Sequence, residues 1–237
     1  MLAVMIPTYN EKENIVSLVT DIFRICKGVN IHIVIVDDNS PDGTGLIAEN
    51  LKKKNTKIHV LHRKVRGRGT AGIDGFKYCL KLGADYIIEM DSDFSHNPMY
   101  LPLFLEQIKK HDVVIGSRFI KGGDIPGRSF LRNFFTNIIN LYLKIIFNTG
   151  IRDVSGGFKC YTKESLECLN FDKLISTKYS IGAEILYLIH KRGFDIKEIP
   201  IVFTDRERGV SKCDFWVMTN YIFTILKIKF KYLFRNY

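Results

Sequence analysis

No linker rich in proline, serine and glycine and no low-complexity tract interrupts the chain, so its 237 residues offer no obvious place to divide. A chain of that length without a break can bury a substantial core as one large α/β domain. Cysteine is sparse: Cys26, Cys79, Cys160, Cys168 and Cys213 are odd in number, scattered, and never spaced as Cys-x-x-Cys. That argues against both a zinc site and a disulfide framework, and a reducing cytosol is the simplest compartment. The start, Met-Leu-Ala-Val-Met-Ile-Pro-Thr-Tyr-Asn, has no basic leader and no long apolar region, so it is expected to be the first core strand and not a signal peptide. An RNP-like aromatic strand, zinc-finger spacing and a helix-turn-helix signal are all missing. Nucleic acid binding would therefore rest on charge alone, and nucleic acid is not an expected partner.

What is present is positive charge. The formal net charge is +10 and the pI near 9.3, which favours an anionic partner such as a phosphorylated substrate or an acidic membrane surface. Short apolar runs alternate with segments of helical spacing. Leu2–Ile6, Ile31–Val36, Ile58–Leu61, Tyr86–Met90, Val113–Gly116 and Ile196–Phe203 read as strands; Glu13–Cys26, Ala71–Leu82 and Met99–Lys109 read as helices, the first with Asn10 and Glu13 as a capping box. Such alternation predicts a doubly wound, mostly parallel sheet, whose ligands bind beyond the carboxyl ends of the strands. Three polar clusters fall at such ends: Pro7-Thr8-Tyr9-Asn10-Glu11, Asp37-Asp38-Asn39-Ser40 and Asp91-Ser92-Asp93. They should converge on one crevice.

Asp91 and Asp93 are the most informative pair. Residues i and i+2 of an extended chain face the same way, so both carboxylates can point at one hard cation beside a diphosphate. His96, next to Asn97-Pro98, is expected to terminate this loop. Arg66-Gly67-Arg68-Gly69 lacks a Lys-Ser/Thr ending and the dinucleotide spacing, so neither a P-loop nor a Rossmann cofactor site is expected.

The segments Ile6–Glu11, Val36–Thr44, Met90–Pro98 and Asp205–Lys212, in that order and spacing, resemble the dolichol/polyprenol-phosphate mannose synthases, inverting nucleotide-sugar glycosyltransferases of family 2 with a GT-A fold. Gly116-Ser117-Arg118-Phe119, Arg132 and Asp153–Phe158 fit the pattern as well. The resemblance implies GDP-mannose lying across the first, second and fourth strand ends, with Pro7, Tyr9 and Glu11 lining the nucleoside pocket and Val36 and Asp38 supporting base and ribose. It implies Mg²⁺ or Mn²⁺ held by Asp91 and Asp93 beside Ser92, with Asp93 the more direct ligand. Arg118, Arg132, Arg206 and Lys212 would fix the donor diphosphate and the phosphate of a polyprenyl or dolichyl acceptor. Where some relatives place a glutamine near the metal, this chain has Ser95, and Arg68 replaces a more usual apolar residue. A UDP-sugar donor carrying glucose or N-acetylglucosamine stays open as an alternative. A non-catalytic basic module, binding an anionic membrane or nucleic acid, would have no need of the two aspartates or of the Arg206/Lys212 loop.

The catalytic domain is expected over 1–213, including an amphipathic acceptor-side helix at about 129–148. Residues 214–237 follow as a basic, aromatic helix whose apolar stretch is short of the ~20 residues that span a bilayer. The expected location is the cytoplasmic face of a membrane, held peripherally, with a separate membrane-anchoring subunit as a further candidate partner.

Overall fold

The structure, a computed structural model, describes residues 1–176, 180–204 and 215–233, the side chains of 215–219 excepted. Seven strands form one sheet: β1 (Leu2–Thr8), β2 (Ile31–Asp37), β3 (Ile58–His62), β4 (Tyr86–Glu89), β5 (Val113–Ser117), β6 (Lys159–Thr162) and β7 (Ile196–Pro200). Their order is β3-β2-β1-β4-β6-β5-β7, and only β6 runs antiparallel to its neighbours. The expected mostly parallel α/β sheet is therefore present. β6 carries no alternation that marks it as a strand: its first residue, Lys159, is a buried cation opposite Glu89.

Both faces of the sheet are covered, which is why the strands read as continuous apolar runs. Ala3 and Met5 of β1 point into one core with α3 (Arg68–Lys81), α5 (Phe130–Phe147), α6 (Lys163–Glu167), α7 (Ile181–Lys191) and α8 (Phe215–Leu233). Leu2, Val4 and Ile6 point into the other, against α1 (Ile15–Ile25), α2 (Thr44–Lys54) and α4 (Leu101–Gln107). α8 joins the first core through Ile225, Ile228 and Tyr232, and the Tyr232 hydroxyl donates to the buried Glu184 carboxylate at 2.7 Å.

The chain crosses from β3 over the sheet to β4, on the far side of β1, so strand order reverses between β1 and β4. That switch point opens a crevice at the carboxyl ends of the strands. Two local expectations need correction. Asn10 does not open a capping box with Glu13: it adopts a left-handed φ of +59°, and α1 begins at Ile15 behind Asn14. The amides of residues 10–12 are instead satisfied across the crevice: Asn10 N–H donates to Ser40 Oγ (3.0 Å), Glu11 N–H to Thr44 Oγ1 (3.0 Å) and Lys12 N–H to Asp42 Oδ2 (3.2 Å). The last strand stops at Pro200 instead of Phe203. Beyond it Ile201 N–H reaches Ser117 O, Asp124 N–H reaches Ile201 O and Phe203 N–H reaches Asp124 O.

The turn after β5 closes tightly on the end of its own strand. A Cβ on Gly123 would lie 2.5 Å from the Ser117 carbonyl oxygen and 2.9 Å from the Arg118 carbonyl carbon, whereas one on Gly150 would meet nothing within 4 Å. Gly123→Ala should lower stability by about 1–3 kcal/mol in urea unfolding, and Gly150→Ala should stay within about 0.5 kcal/mol; equal midpoints for the two variants would refute the tight approach.

Candidate active site

The first two strand ends are locked together by side chains. Thr8 pairs with Asp37, and Asp37 accepts from the Ser40 hydroxyl at 2.6 Å. Asp38 accepts from the Gly67 amide at 2.8 Å and from Arg63. Arg63 spreads the rest of its fork to Asp74 (2.8 Å) and Thr70 (2.6 Å), so one guanidinium fastens β2 to the entry of α3. Arg63 is a site residue that local pattern misses; a lone arginine directly after a strand and just before a glycine-rich turn is the signal it leaves. Tyr9 is half-buried, with the Arg66 guanidinium 3.7 Å above its ring. Pro7 is buried beside it. Glu11 is also buried, and its carboxylate accepts from Asn14 at 2.7 Å. Val36, expected with Asp38 to support base and ribose, is wholly buried in the core near the end of β2.

β4 ends at Glu89, one residue earlier than expected, and residues 91–96 form an irregular loop with Phe94 at a φ of +62°. The two aspartates therefore owe their placement to loop hydrogen bonds and not to strand alternation. Asp91 N–H donates to His96 Nδ1 at 2.9 Å, which puts the imidazole proton on Nε2, 3.8 Å from Asp91 Oδ2. His96 is buried and stacked on Phe158 with ring centroids 4.8 Å apart. Burial holds its pKa below the usual value, so it is neutral, and its role is to close the loop. Asp93 Oδ1 accepts from the Ser95 amide (3.1 Å) and hydroxyl (2.6 Å), and the Ser92 hydroxyl reaches the Pro7 carbonyl at 3.4 Å. Ser95 thus orients an aspartate.

Among the described residues no group of three or more His, Cys, Asp or Glu side chains is placed to hold a metal. Two loop carboxylates still fit Mg²⁺ or Mn²⁺, because such ions take one or two carboxylates and complete their shells from substrate phosphate and water. Asp91, 14 % exposed, faces Arg68, whose Nη2 donates to Asp91 Oδ1 at 2.5 Å.

Arg118, expected on phosphate, is engaged elsewhere. Its Nε and Nη2 fork onto the buried Asp153 carboxylate at 2.8 and 2.7 Å, its amide donates to the same group at 3.0 Å, and Nη2 also reaches Ser155 at 3.0 Å. Burial alone would raise the Asp153 pKa, but these bonds and the Arg118 charge outweigh it and hold the carboxyl below its ordinary range. In this structure the Arg118 fork thus braces the Asp153–Ser155 loop. Arg132 lies exposed on the first turn of α5. Arg206 and Lys212 lie outside the described residues.

α5, the expected acceptor-side helix, turns most of its large apolar side chains outward. Phe130, Leu131, Phe134, Phe135, Ile138, Leu141 and Ile145 are exposed, while Leu143, Phe147 and the polar Asn140 are buried. Asn140 Oδ1 accepts the Ser155 amide and its Nδ2 donates to the Ser155 hydroxyl, both at 3.1 Å, so this helix is tied to the loop that holds Arg118. α8 lies alongside, with Tyr142 donating to the Ile222 carbonyl at 3.0 Å.

The mostly parallel sheet, with its switch-point crevice between β1 and β4, has the GT-A glycosyltransferase fold. The chain belongs to glycosyl transferase family 2, whose family model matches residues 3–169. It is 36% identical over 212 residues to polyprenol monophosphomannose synthase of Mycolicibacterium smegmatis, covering 88% of this chain and 79% of that protein. It is 36% identical over 210 residues to undecaprenyl-phosphate mannosyltransferase of Micrococcus luteus, covering 88% and 85%. A crystal structure of glucosyl-3-phosphoglycerate synthase from Mycobacterium tuberculosis with Mn²⁺, UDP and glucosyl-3-phosphoglycerate superposes with a TM-score of 0.69 at 15% identity, over 98% of this chain and 79% of that one, which shows the shared fold.

Beneath the loops Lys159 is buried, its Nζ donating to the Val154 carbonyl at 3.2 Å. Burial pushes its pKa from 10.5 down to about 8, against the pull of Glu89 and Asp153. Above the folded value and below the ordinary one, the unfolded chain holds a proton that the folded chain has lost, so this group makes the protein more stable as pH rises from about 8 to 10.5. Lys159→Met should flatten that rise, and the Lys159 Cε chemical shift should titrate near 8; a midpoint at 10.5 would contradict the burial argument.

Proposed function

We propose that this chain transfers mannose from GDP-mannose to a polyprenyl phosphate, inverting the sugar carbon and releasing GDP. The observation that carries the lipid acceptor is α5: a helix whose aromatic and aliphatic side chains face outward is hydrogen-bonded through Asn140 to the loop beside Arg118. A water-soluble acceptor would need no such face. The names of the two mannosyltransferase relatives, each matched over 88% of this chain, support the same reading.

In the reaction a phosphate oxygen of the acceptor attacks the anomeric carbon on the side opposite the diphosphate. The new sugar–phosphate bond forms as the bond to GDP breaks, and its electron pair leaves on the diphosphate. The acceptor is already ionised at neutral pH and needs no general base. The neutral His96, buried and with Nδ1 accepting the Asp91 amide, is unsuited to that role in any case. Asp91 and Asp93 would hold Mg²⁺ or Mn²⁺, which supplies positive charge to the leaving diphosphate. Tyr9 offers a ring face to the base, and Asp38, fixed by Arg63 and Gly67, sets the ribose end of the crevice. Arg206 and Lys212 would add charge for the two phosphate groups, with Arg132 on the acceptor side.

Among the described residues no helix is long and apolar enough to cross a membrane. The protein would act at the cytoplasmic membrane surface, α5 entering the interface and the lysines of α8 meeting anionic headgroups.

Transfer of radiolabelled sugar from GDP-mannose, UDP-glucose or UDP-N-acetylglucosamine to a short polyprenyl phosphate tests the reaction. Mannose transfer abolished by chelator is expected, with Asp93→Ala reducing it at least about a hundredfold. A preference for a UDP-sugar would change the donor, and no lipid product from any donor would remove the assignment. Phe134→Asp should weaken binding to anionic vesicles about ten- to a hundredfold, from the ~1.5–3 kcal/mol that a buried aromatic contributes, while leaving melting temperature unchanged; undiminished vesicle binding would detach α5 from the membrane.

A further inference from the structure

Arg63, Arg68 and Arg118 reach carboxylates around the crevice, and they are not alike. The Arg63 side chain is 8 % exposed and bonds Asp38, Asp74 and Thr70; that of Arg118 is 10 % exposed and bonds Asp153 and Ser155. These two are fastened into the frame. The Arg68 side chain, at the start of α3, is 40 % exposed, and its hydrogen bond goes to one oxygen of Asp91. Room for this guanidinium exists because residue 157 is glycine: a Cβ there would lie 3.3 Å from Arg68 Nη2 and 3.3 Å from His96 Cε1.

Asp91 is a metal ligand in the function proposed above, and the present inference rests on that reading. A carboxylate oxygen that accepts from a guanidinium at 2.5 Å cannot bind a divalent ion in the same direction. We propose that Arg68 is an exchangeable counter-cation of the metal loop: it holds Asp91 before the donor arrives, releases it to the divalent ion, and turns its fork onto the incoming diphosphate. The exchange has a charge rationale. Glu89, Asp91 and Asp93 stand close to Arg68 at the point where a diphosphate must enter, so the loop carries a resident cation until the ion is delivered. The released guanidinium then meets the two new negative groups. An apolar residue at position 68 could do neither.

The exchange predicts opposite signs for two binding measurements that need no sugar transfer. In Arg68→Met, Mn²⁺ binding to the nucleotide-free protein, read by electron paramagnetic resonance, should tighten about tenfold because a competitor is gone. GDP binding at saturating Mn²⁺, read by calorimetry, should weaken about tenfold because the diphosphate has lost the donor that the ion sets free. Arg68→Gln should move both in the same directions and serves if the Met variant does not fold. Asp91→Asn separates this inference from the reading beneath it. Undiminished Mn²⁺ binding in Asp91→Asn would overturn the metal assignment itself. Mn²⁺ binding lost in Asp91→Asn but unchanged or weakened in both Arg68 variants would overturn the exchange and leave the assignment standing.

Discussion

In the proposed function a crevice floored by carboxylates has to receive a diphosphate, and this conflict of like charges bears on the rest of the architecture. Asp37, Asp38, Glu89, Asp91, Asp93 and Asp153 all lie at or near strand ends around one opening. Five of the six are answered by a neighbouring donor: Asp37 by Ser40, Asp38 by Arg63 and a backbone amide, Asp93 by Ser95, Asp153 by Arg118, Asp91 by Arg68. Buried charges of this kind persist only when paired and hydrogen-bonded, and breaking such a pair costs far more than the pair contributes. Among the described residues, the Arg63 and Arg118 forks are thus committed to the frame's own acids, while Arg68 is the more exposed of the three.

The topology makes this arrangement affordable in space. Because strand order reverses between β1 and β4, loops distant in sequence meet without crossing, and the first two exchange backbone donors for side-chain acceptors from Asn10 to Thr44. Asn10, Asn39 and Phe94 all adopt left-handed backbone angles at these ends. Non-glycine residues seldom do so, and their clustering marks where the chain turns sharply to present side chains instead of continuing the strand.

Much of this was legible in the sequence because it depends on local period and composition. Apolar runs buried on both faces announced the strands, and the polar clusters at their ends announced the crevice. What escaped depends on pairs far apart in the chain. Nothing in the spacing of Arg118 says that its fork belongs to Asp153, thirty-five residues on, and nothing near Arg63 points to Asp38. β6 escaped because its leading Lys159 reads as exposed while the antiparallel register places it opposite Glu89. The capping box failed for a related reason: a local pattern can be outbid when a second loop supplies better partners.

α5 carries this lesson furthest. Helical periodicity distinguishes an apolar from a polar face but not inside from outside, and the usual inference that the apolar face is buried fails here. Leu143 and Phe147 anchor the helix one turn apart, and Asn140, which interrupts the apolar pattern, is the residue that docks it to the Ser155 loop. A buried asparagine satisfied by a loop amide and hydroxyl fixes the register of that contact, since sliding by one residue would strand its polar groups in an apolar seam. The seven exposed apolar residues of α5 are thus held at a set position relative to Arg118 and Asp153. Whatever covers that face is thereby brought to the same loop that borders the crevice, which is the coupling that the proposed lipid-borne acceptor would require.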